Sequence, residues 1–370
     1  MGRENERFTQ LLTVLPEGWE AKAKELGAFQ RAREIDSPEA LLHLILLYLT
    51  EGKSFRGTRA LTLLSGEAEM SDVAILKRIR NSADWLKWLS QNIYRQAGLI
   101  VEKPQWLRDK NIVLVDGTEE VKCGIRRHCY MLHYSLDLFT LEARELLITD
   151  RRTGEKLGNF KLFRKDDIVM GDRIYGTLPG ITWLQQQKAD YVLRIRSHAF
   201  SIYDQENQKI DLLNCLTGLK EGECVTITTK CFINNQYEPL RICAMRKDTD
   251  SERKGLKQLT KTNQRKKGGK PVSDLQRESN KYIIVVTSLG EEISASQVLD
   301  LYRLRWQIEI AFKRLKSLFH YNDLPATNSK SINAWFYGKL LLAALCETLV
   351  NTGRFSPSGG MYRRRSASPA

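Results

Sequence analysis

The stretch Tyr302–Lys316, YRLRWQIEIAFKRLK, is the part of the 370-residue chain on which the reading of the fold turns. Tyr302, Arg305, Glu309 and Lys316 stand at offsets that fall, at about 100° per residue, within a helix sector of roughly 60°. They share one edge. Ile308, Phe312, Leu315 and Phe319 make an apolar stripe beside it, so one face can be buried while a carboxylate flanked by cations lines a cleft. A plainer reading is a surface ladder in which Glu309 pairs with Arg305 and Lys313 one turn away. The helix alone does not choose between them.

Two strand ends upstream bear on the choice. Asn111-Ile-Val-Leu-Val115 is a β-branched apolar run that delivers Asp116-Gly117-Thr118, and Asp167-Ile-Val-Met170 runs straight into Gly171-Asp172-Arg173. Each predicts a buried strand ending in a carboxylate. Between them, residues 129–137 and 138–148 alternate as two more strands of an antiparallel meander, followed by a short helix near 154–160. A helix over 178–188 and a strand over 191–195 come next. Tyr282–Thr287 resumes the buried-strand pattern, and Ser294-Ala-Ser-Gln297 is a capping box for the helix that carries Glu309. Taken singly, Asp116-Gly117 and Gly171-Asp172 are ordinary turn chemistry. Taken together, three carboxylates from separate elements meet the requirement of two divalent ions about 4 Å apart, which need bridging and flanking oxygens.

Charge points to the substrate class. The net charge is +14 with an isoelectric point near 9.4, and Arg241–Lys281 holds 13 Lys and Arg against 5 Asp and Glu. A concentration of this kind is either a solubilising surface or a region that tracks phosphates, and it favours nucleic acid as partner. The seven cysteines are odd in number and lack C-x2-C spacing, which disfavours both a disulfide framework and structural zinc. No run reaches the ~20 apolar residues of a membrane span. The N-terminus MGRENERFTQ has no signal-peptide core. The expectation is a cytoplasmic protein without membrane attachment.

The expected fold class is α/β, in five parts. Residues 1–105 read as helical, with Asp36-Ser-Pro-Glu39 starting an apolar helix in which His43 is a packed residue. Phe55–Leu64, a Gly-containing turn and a helix over 73–89 resemble a helix-turn-helix at 55–81, which would present Lys77, Arg78 and Arg80 to DNA. Residues 106–196 form the first part of a core. Residues 197–280 read as an inserted β domain bearing a mobile basic loop, KGLKQLTKTNQRKKGGKPVSD. Residues 281–350 complete the core with a final apolar helix, and 351–370 read as a disordered tail.

The set formed by Asp116 in VDGT, Asp172 in GDRIYG, and Tyr302-x2-Arg305-x3-Glu309-x6-Lys316 resembles the DDE transposases of the IS4 group of bacterial insertion sequences, over residues 36–350. The resemblance implies an RNase H-like core interrupted by a β-rich insertion between the second Asp and the Glu. It implies that Asp116, Asp172 and Glu309 are catalytic and hold two Mg²⁺ or Mn²⁺ ions. Arg305 and Lys316 would contact phosphates near the cleaved strand, Tyr302 would face the DNA backbone, and Trp306 would stack on a distorted transposon end. The partners implied are double-stranded DNA, both transposon ends and target, and a second copy of the chain in a synaptic complex associated with the nucleoid.

The tail departs from that family, whose members usually continue with more ordered sequence. It reads as a truncation or frameshift product, so two functions stand against each other. One is an active cut-and-paste transposase; the other is a silent DNA-binding remnant that occupies transposon ends and inhibits an intact copy. Retention of all three carboxylates favours the first. The Y-R-E-K edge also disfavours an unrelated RNase H-like nuclease.

Overall fold

The computed structural model describes residues 8–351 apart from 51–53, 65–68, 97–102, 122–128, 141, 267–268 and 306–328. Trp306, Glu309, Lys316 and the tail 352–370 therefore lie outside the described residues. The main helices, in chain order, are α1 (Trp19–Glu25), α2 (Pro38–Thr50), α3 (Phe55–Leu64), α4 (Asp72–Asn81), α5 (Ala83–Gln96), α6 (Leu178–Gln186), α7 (Thr249–Lys266), α8 (Asp274–Asn280), α9 (residues 295–305) and α10 (Ser329–Asn351). The chain divides into two compact units, one of residues 1–101 with 313–370 and the other of residues 102–312.

The first unit is helical. Pro38 sits at the first turn of α2 and the Ser37 hydroxyl accepts from the Ala40 amide, so the start signal in the sequence acts as a cap. Leu41, Leu42, Leu44, Ile45 and Leu49 of α2 are buried, each contributing about 1.5–3 kcal/mol. The final helix α10 packs on α2, α4 and α5. Gly338 makes that approach close, because a Cβ there would strike Leu49, and the buried Lys339 ammonium caps α2 by donating to the Leu49 carbonyl at 2.7 Å. The helix expected over 73–89 is broken in two. The Ser82 hydroxyl returns to the Arg78 carbonyl at 2.9 Å, and α5 restarts at Ala83 with Trp85 fully buried.

The second unit is built on one ten-stranded mixed sheet, ordered β3-β2-β1-β4-β5-β10-β9-β8-β6-β7. The strands are β1 (Asn111–Val121), β2 (Cys129–Asp137), β3 (Ala143–Asp150), β4 (Asp167–Gly171), β5 (Asp190–Arg194), β6 (Ile202–Tyr203), β7 (Lys209–Ile210), β8 (Cys224–Ile233), β9 (Gln236–Arg246) and β10 (Tyr282–Thr287). The antiparallel meander β1–β2–β3 is as the alternation predicts. β4 runs parallel to both β1 and β5, with α6 as the crossover. One face buries Val113, Val115, Val169 and Leu193 under Leu157, Phe160, Ile181 and Leu184. The other buries Ile112, Leu114, Met170, Val192 and Val285 under Val298, Leu301 and Tyr302 of α9. The expected capping box starts α9: the Ser294 hydroxyl accepts from the Gln297 amide, and the Gln297 side chain accepts from the Ser294 amide.

Two features of residues 197–280 differ from expectation. The strands β8 and β9 extend the core sheet through β10 instead of forming a sheet of their own. The basic segment is also not a loop. It forms α7 and α8, because Lys, Gln, Leu and Arg are good helix formers and buried polar contacts replace the missing apolar ones.

Candidate active site

Register on the sheet brings the two sequence-predicted aspartates together. Leu114 of β1 is paired with Met170 of β4, and Met170 with Val192 of β5, all three on the α9 face. Two residues further on, on the same face, stand Asp116, Asp172 and Arg194. On the other side of Asp116 its antiparallel partner is Tyr134. Asp116 is thus in β1 between Tyr134 of β2 and the end of β4, where Asp172 is the first residue past the strand, and Arg194 ends β5 on the far side of Asp172.

The carboxylates are held by short-range donors. Asp116 accepts from the Tyr134 hydroxyl at 2.7 Å through Oδ2 and from the Gly117 amide at 2.9 Å through Oδ1. Asp172 accepts from the Ile174 amide at 2.8 Å through Oδ1, and its carbonyl accepts from the Tyr175 and Gly176 amides. No donor among the described residues meets its Oδ2. Gly176 is required here, since a Cβ would collide with the Arg194 carbonyl. That contact ties the turn after Asp172 to the end of β5.

On the opposite face of the sheet, that of Val113, Val115 and Val169, a carboxylate and a buried phenol lie close to the same strands. The Glu155 side chain lies against Gly117, where a Cβ would be 2.8 Å from its Cγ. The Tyr175 hydroxyl is buried and without a hydrogen-bond partner. Burial first, and then the charges of Asp116, Glu155 and Asp172, raise its pKa well above the usual range, with Arg305 opposing.

Cations crowd the other side. Arg173 is brought down to about 10 by burial, next by the charge of Arg194, against the attraction of Tyr302 and Asp172. Arg194 has a buried Nε without a partner. Lys247, just past β9, is lowered to about 8 by burial and then by Arg194 and Arg173, while its ammonium donates to the Asn280 carbonyl at 2.5 Å. Cations packed this closely favour an anion among them.

Of the α9 residues, Tyr302 and Arg305 are both buried. Arg305 Nε donates to the Tyr302 hydroxyl at 3.1 Å, and its guanidinium lies over the same ring at 5.2 Å. Burial raises the Tyr302 pKa, with Arg305 and Arg194 opposing and Asp172 adding to it. Tyr302, Arg305 and Asp172 thus come together. Tyr302 does so as a core residue that orients Arg305, and not as an exposed contact.

Lys77, Arg78 and Arg80 belong to the helical unit. Lys77 is exposed. Arg78 donates to the Arg31 carbonyl at 3.1 Å and lies over the Phe29 ring, and Arg80 Nε donates to Ser331 Oγ at 2.7 Å. Two of the three cations expected to read DNA are therefore engaged within their own unit.

Tyr134, Arg194, Tyr175 and Lys247 escaped sequence reading, because each acquires its neighbours through the pairing of distant strands. Only Arg173, in the run GDRIYG, carried a local signal. The oxygens that Asp116 and Asp172 present are hard donors, and no thiol or imidazole joins them in a ligand group among the described residues. Such a set fits a divalent ion of the Mg²⁺ type.

Comparison with known proteins agrees with this geometry. Residues 107–345 match the family model described as transposase DDE domain. The chain is 34% identical over 347 residues to the putative transposase InsL for insertion sequence element IS186A of Escherichia coli (strain K12), covering 90% of this chain and 91% of that relative. It is 34% identical over 348 residues to the transposase for insertion sequence element IS421 of Escherichia coli, with the same coverage. A more distant relative is the transposase for insertion sequence element IS1151 of Clostridium perfringens, 28% identical over 215 residues, which are 54% of this chain and 42% of that one. A chain with aspartates on and just past two adjacent parallel strands, a cation-rich flank and these relatives belongs to the DDE transposase family of bacterial insertion sequences, in the IS4 group.

Proposed function

We propose that the protein binds the terminal inverted repeats of its own insertion sequence, cleaves the DNA strands there and joins the freed 3′ ends to a target. The observation that supports this is that adjacent parallel strands β1 and β4 carry Asp116 and lead into Asp172, with Arg194 at the end of the next strand, in a chain of the DDE transposase family. Bound divalent ions would supply Lewis-acid stabilisation of the charge on the attacking and leaving oxygens. In this chain Asp116 and Asp172, with Glu309 as the third carboxylate, would hold two Mg²⁺ or Mn²⁺ ions. Tyr134 orients Asp116. Arg194, Arg305 and Lys316 receive the phosphates on either side of the scissile bond, and Trp306 stacks on the distorted end.

The same reading assigns residues 1–105 to DNA binding, with Lys77 of α4 as the exposed contact beside Arg78 and Arg80. It assigns 106–196 and 281–350 to an RNase H-like core and 197–280 to an insertion that carries cationic surface. Two copies meet in a synaptic complex on the nucleoid. No helix among the described residues is long and apolar enough to cross a membrane. The reading as a silent remnant is disfavoured by the intact pair of aspartates and by similarity that extends over nearly the whole length of known transposases.

The test is strand cleavage of a DNA fragment that carries the inverted repeats flanking this reading frame, with Mg²⁺, by wild type and by Asp116→Asn, Asp172→Asn and Glu309→Gln. Each variant is expected to bind the ends as wild type does and to cleave at least about 10³-fold more slowly. Wild-type binding without metal-dependent cleavage would sink the proposal.

A further inference from the structure

We propose that the helical hairpin α7–α8 is a rest for duplex DNA, in which the cation face of α7, continuing from Arg194 and Lys247 at the same edge of the sheet, holds the phosphate backbone. The inference rests on the functional reading above and adds a partner surface to it.

The geometry begins at the sheet. β5 and β9 are both antiparallel to the intervening β10, so they run in the same direction and end at the same edge. Arg194 closes β5 at that edge. β9 leaves it at Arg246 and Lys247, and α7 starts two residues later. From β4, which delivers Asp172, to β9 is three strand spacings, about 14 Å. Lys247 lies in the field of Arg194 and Arg173, and beyond it the acidic first turn of α7, with Asp250 and Glu252, precedes the cations that start at Arg253.

Along α7, Arg253, Lys254, Lys257, Lys261 and Arg265 are all exposed. They fall within about 120° of the helix circumference and span about 18 Å of its length. At 3.4 Å of rise per base pair that is about five base pairs of duplex. No acidic residue lies between Arg253 and Arg265. Only Arg253, at the start, has an acidic partner, Asp250 at 2.9 Å.

A solvated charged helix of the ordinary kind alternates its signs, because Glu and Lys at i,i+4 stabilise and like charges there destabilise. α7 does the reverse. Arg253/Lys257, Lys257/Lys261 and Lys261/Arg265 are three successive like-charge pairs, each costing about 0.2–0.5 kcal/mol. The fold tolerates this cost and also holds the helix rigidly. Gly255 lies so close to Asn280 that a Cβ would collide with the amide oxygen. The Asn280 amide donates to the Glu252 carbonyl at 2.8 Å. The buried Asn263 amide donates to the Pro271 carbonyl at 3.3 Å and to the Gln276 side chain at 3.2 Å. The inward contacts named are polar and specific, and from Arg253 to Arg265 every exposed charge is positive, the other exposed residues being Gln258, Thr260 and Gln264. A rigid, single-sign face with little apolar burial fits a polyanion, and its span fits a duplex backbone.

The experiment measures equilibrium binding of a mixed-sequence duplex of about 40 base pairs, without divalent metal, between about 50 and 200 mM KCl. Neutralising α7 (Lys254→Gln, Lys257→Gln, Lys261→Gln and Arg265→Gln together) is expected to reduce the slope of log affinity against log salt by about 2–4, at 0.9 per phosphate released. The reduction should be equal for unrelated duplex sequences. Lys254→Arg, Lys257→Arg and Lys261→Arg together should keep the wild-type slope, which separates loss of charge from loss of the helix. A control neutralising the exposed Lys188, Lys209 and Lys220 should also keep it. An unchanged slope in the neutralised helix, or an equal drop in the arginine variant or the control, overturns the proposal. Because the readout is metal-free, such a failure leaves wild-type cleavage standing. The expected slopes in a wild type that cleaves nothing would remove the catalytic reading alone.

Discussion

The Tyr134 hydroxyl donates to Asp116 Oδ2 at 2.7 Å across the antiparallel rung that pairs their strands. With the Gly117 amide donating to Oδ1 at 2.9 Å, the bond fixes the orientation of the carboxylate. Hydrogen bonds to charged groups are worth about 1.5–3 kcal/mol. Tyr134→Phe is therefore expected to slow single-turnover cleavage about tenfold while duplex binding in the absence of metal stays at the wild-type level. A rate within twofold of wild type would mean that the Gly117 amide alone orients Asp116.

Gly176 is the point where the turn after Asp172 rests on β5. Gly176→Ala places a methyl group against the Arg194 carbonyl, and backbone cannot yield as a flexible side chain can. The expected cost is about 1–3 kcal/mol of stability, with a fall in cleavage larger than the fall in binding, because both Asp172 and Arg194 are displaced. Thermal unfolding and single-turnover cleavage, measured side by side, check this; an unaltered midpoint would contradict it.

Asp167 opens β4 and is completely buried. Arg144 Nη1 donates to both of its oxygens at 2.7 Å, and the Arg164 amide donates to Oδ2 at 2.7 Å. Asp167→Ala strands the Arg144 charge, with only Asp137 at 3.6 Å in reserve. A loss of about 3–5 kcal/mol is expected in urea unfolding. A loss below 1 kcal/mol would show that Asp137 takes over the pairing.

His133 carries an acid-sensitive contribution to stability. It is fully buried, Nε2 meets Thr149 Oγ1 at 2.8 Å, Nδ1 has no partner, and burial lowers its pKa from 6.5. The unfolded chain takes up the proton first, so stability is unaffected well above pH 6.5. It falls as pH drops through 6.5 towards the lowered folded value. The unfolding midpoint between about pH 7.5 and 5 is expected to decline less steeply in His133→Gln than in wild type. Parallel curves would assign the acid sensitivity to other groups.

Much of the candidate site was legible because its parts are local. A short β-branched run that stops at a carboxylate reads as a strand end, which holds for Asp172 just past β4; Asp116 instead lies within β1, because the strand continues to Val121 in its pairing with β2. Ser294 and Gln297 read as a capping box, which starts the helix carrying Tyr302 and Arg305. Other features were not local. The break at Ser82 depends on a hydroxyl turning back to the Arg78 carbonyl, which competes invisibly with a continuous helical pattern. The segment 249–266 looked like a loop because it lacks apolar residues, and its helix is held by Asn263, Gly255 and Asn280 through contacts with chain up to 28 residues away.

From sequence alone came the residue types and their order: aspartates that follow two apolar β-branched runs, a later glutamate in a Y-R-E-K pattern, and a basic segment between them. Those follow from periodicities and caps that act over a few residues. Tertiary structure alone decided which groups stand beside them. The parallel register of β1, β4 and β5 aligns Asp116, Asp172 and Arg194, and the shared direction of β5 and β9 sets Lys247 and α7 at the same edge. Strand register is set by packing two sheet faces at once, and no short window of sequence contains both.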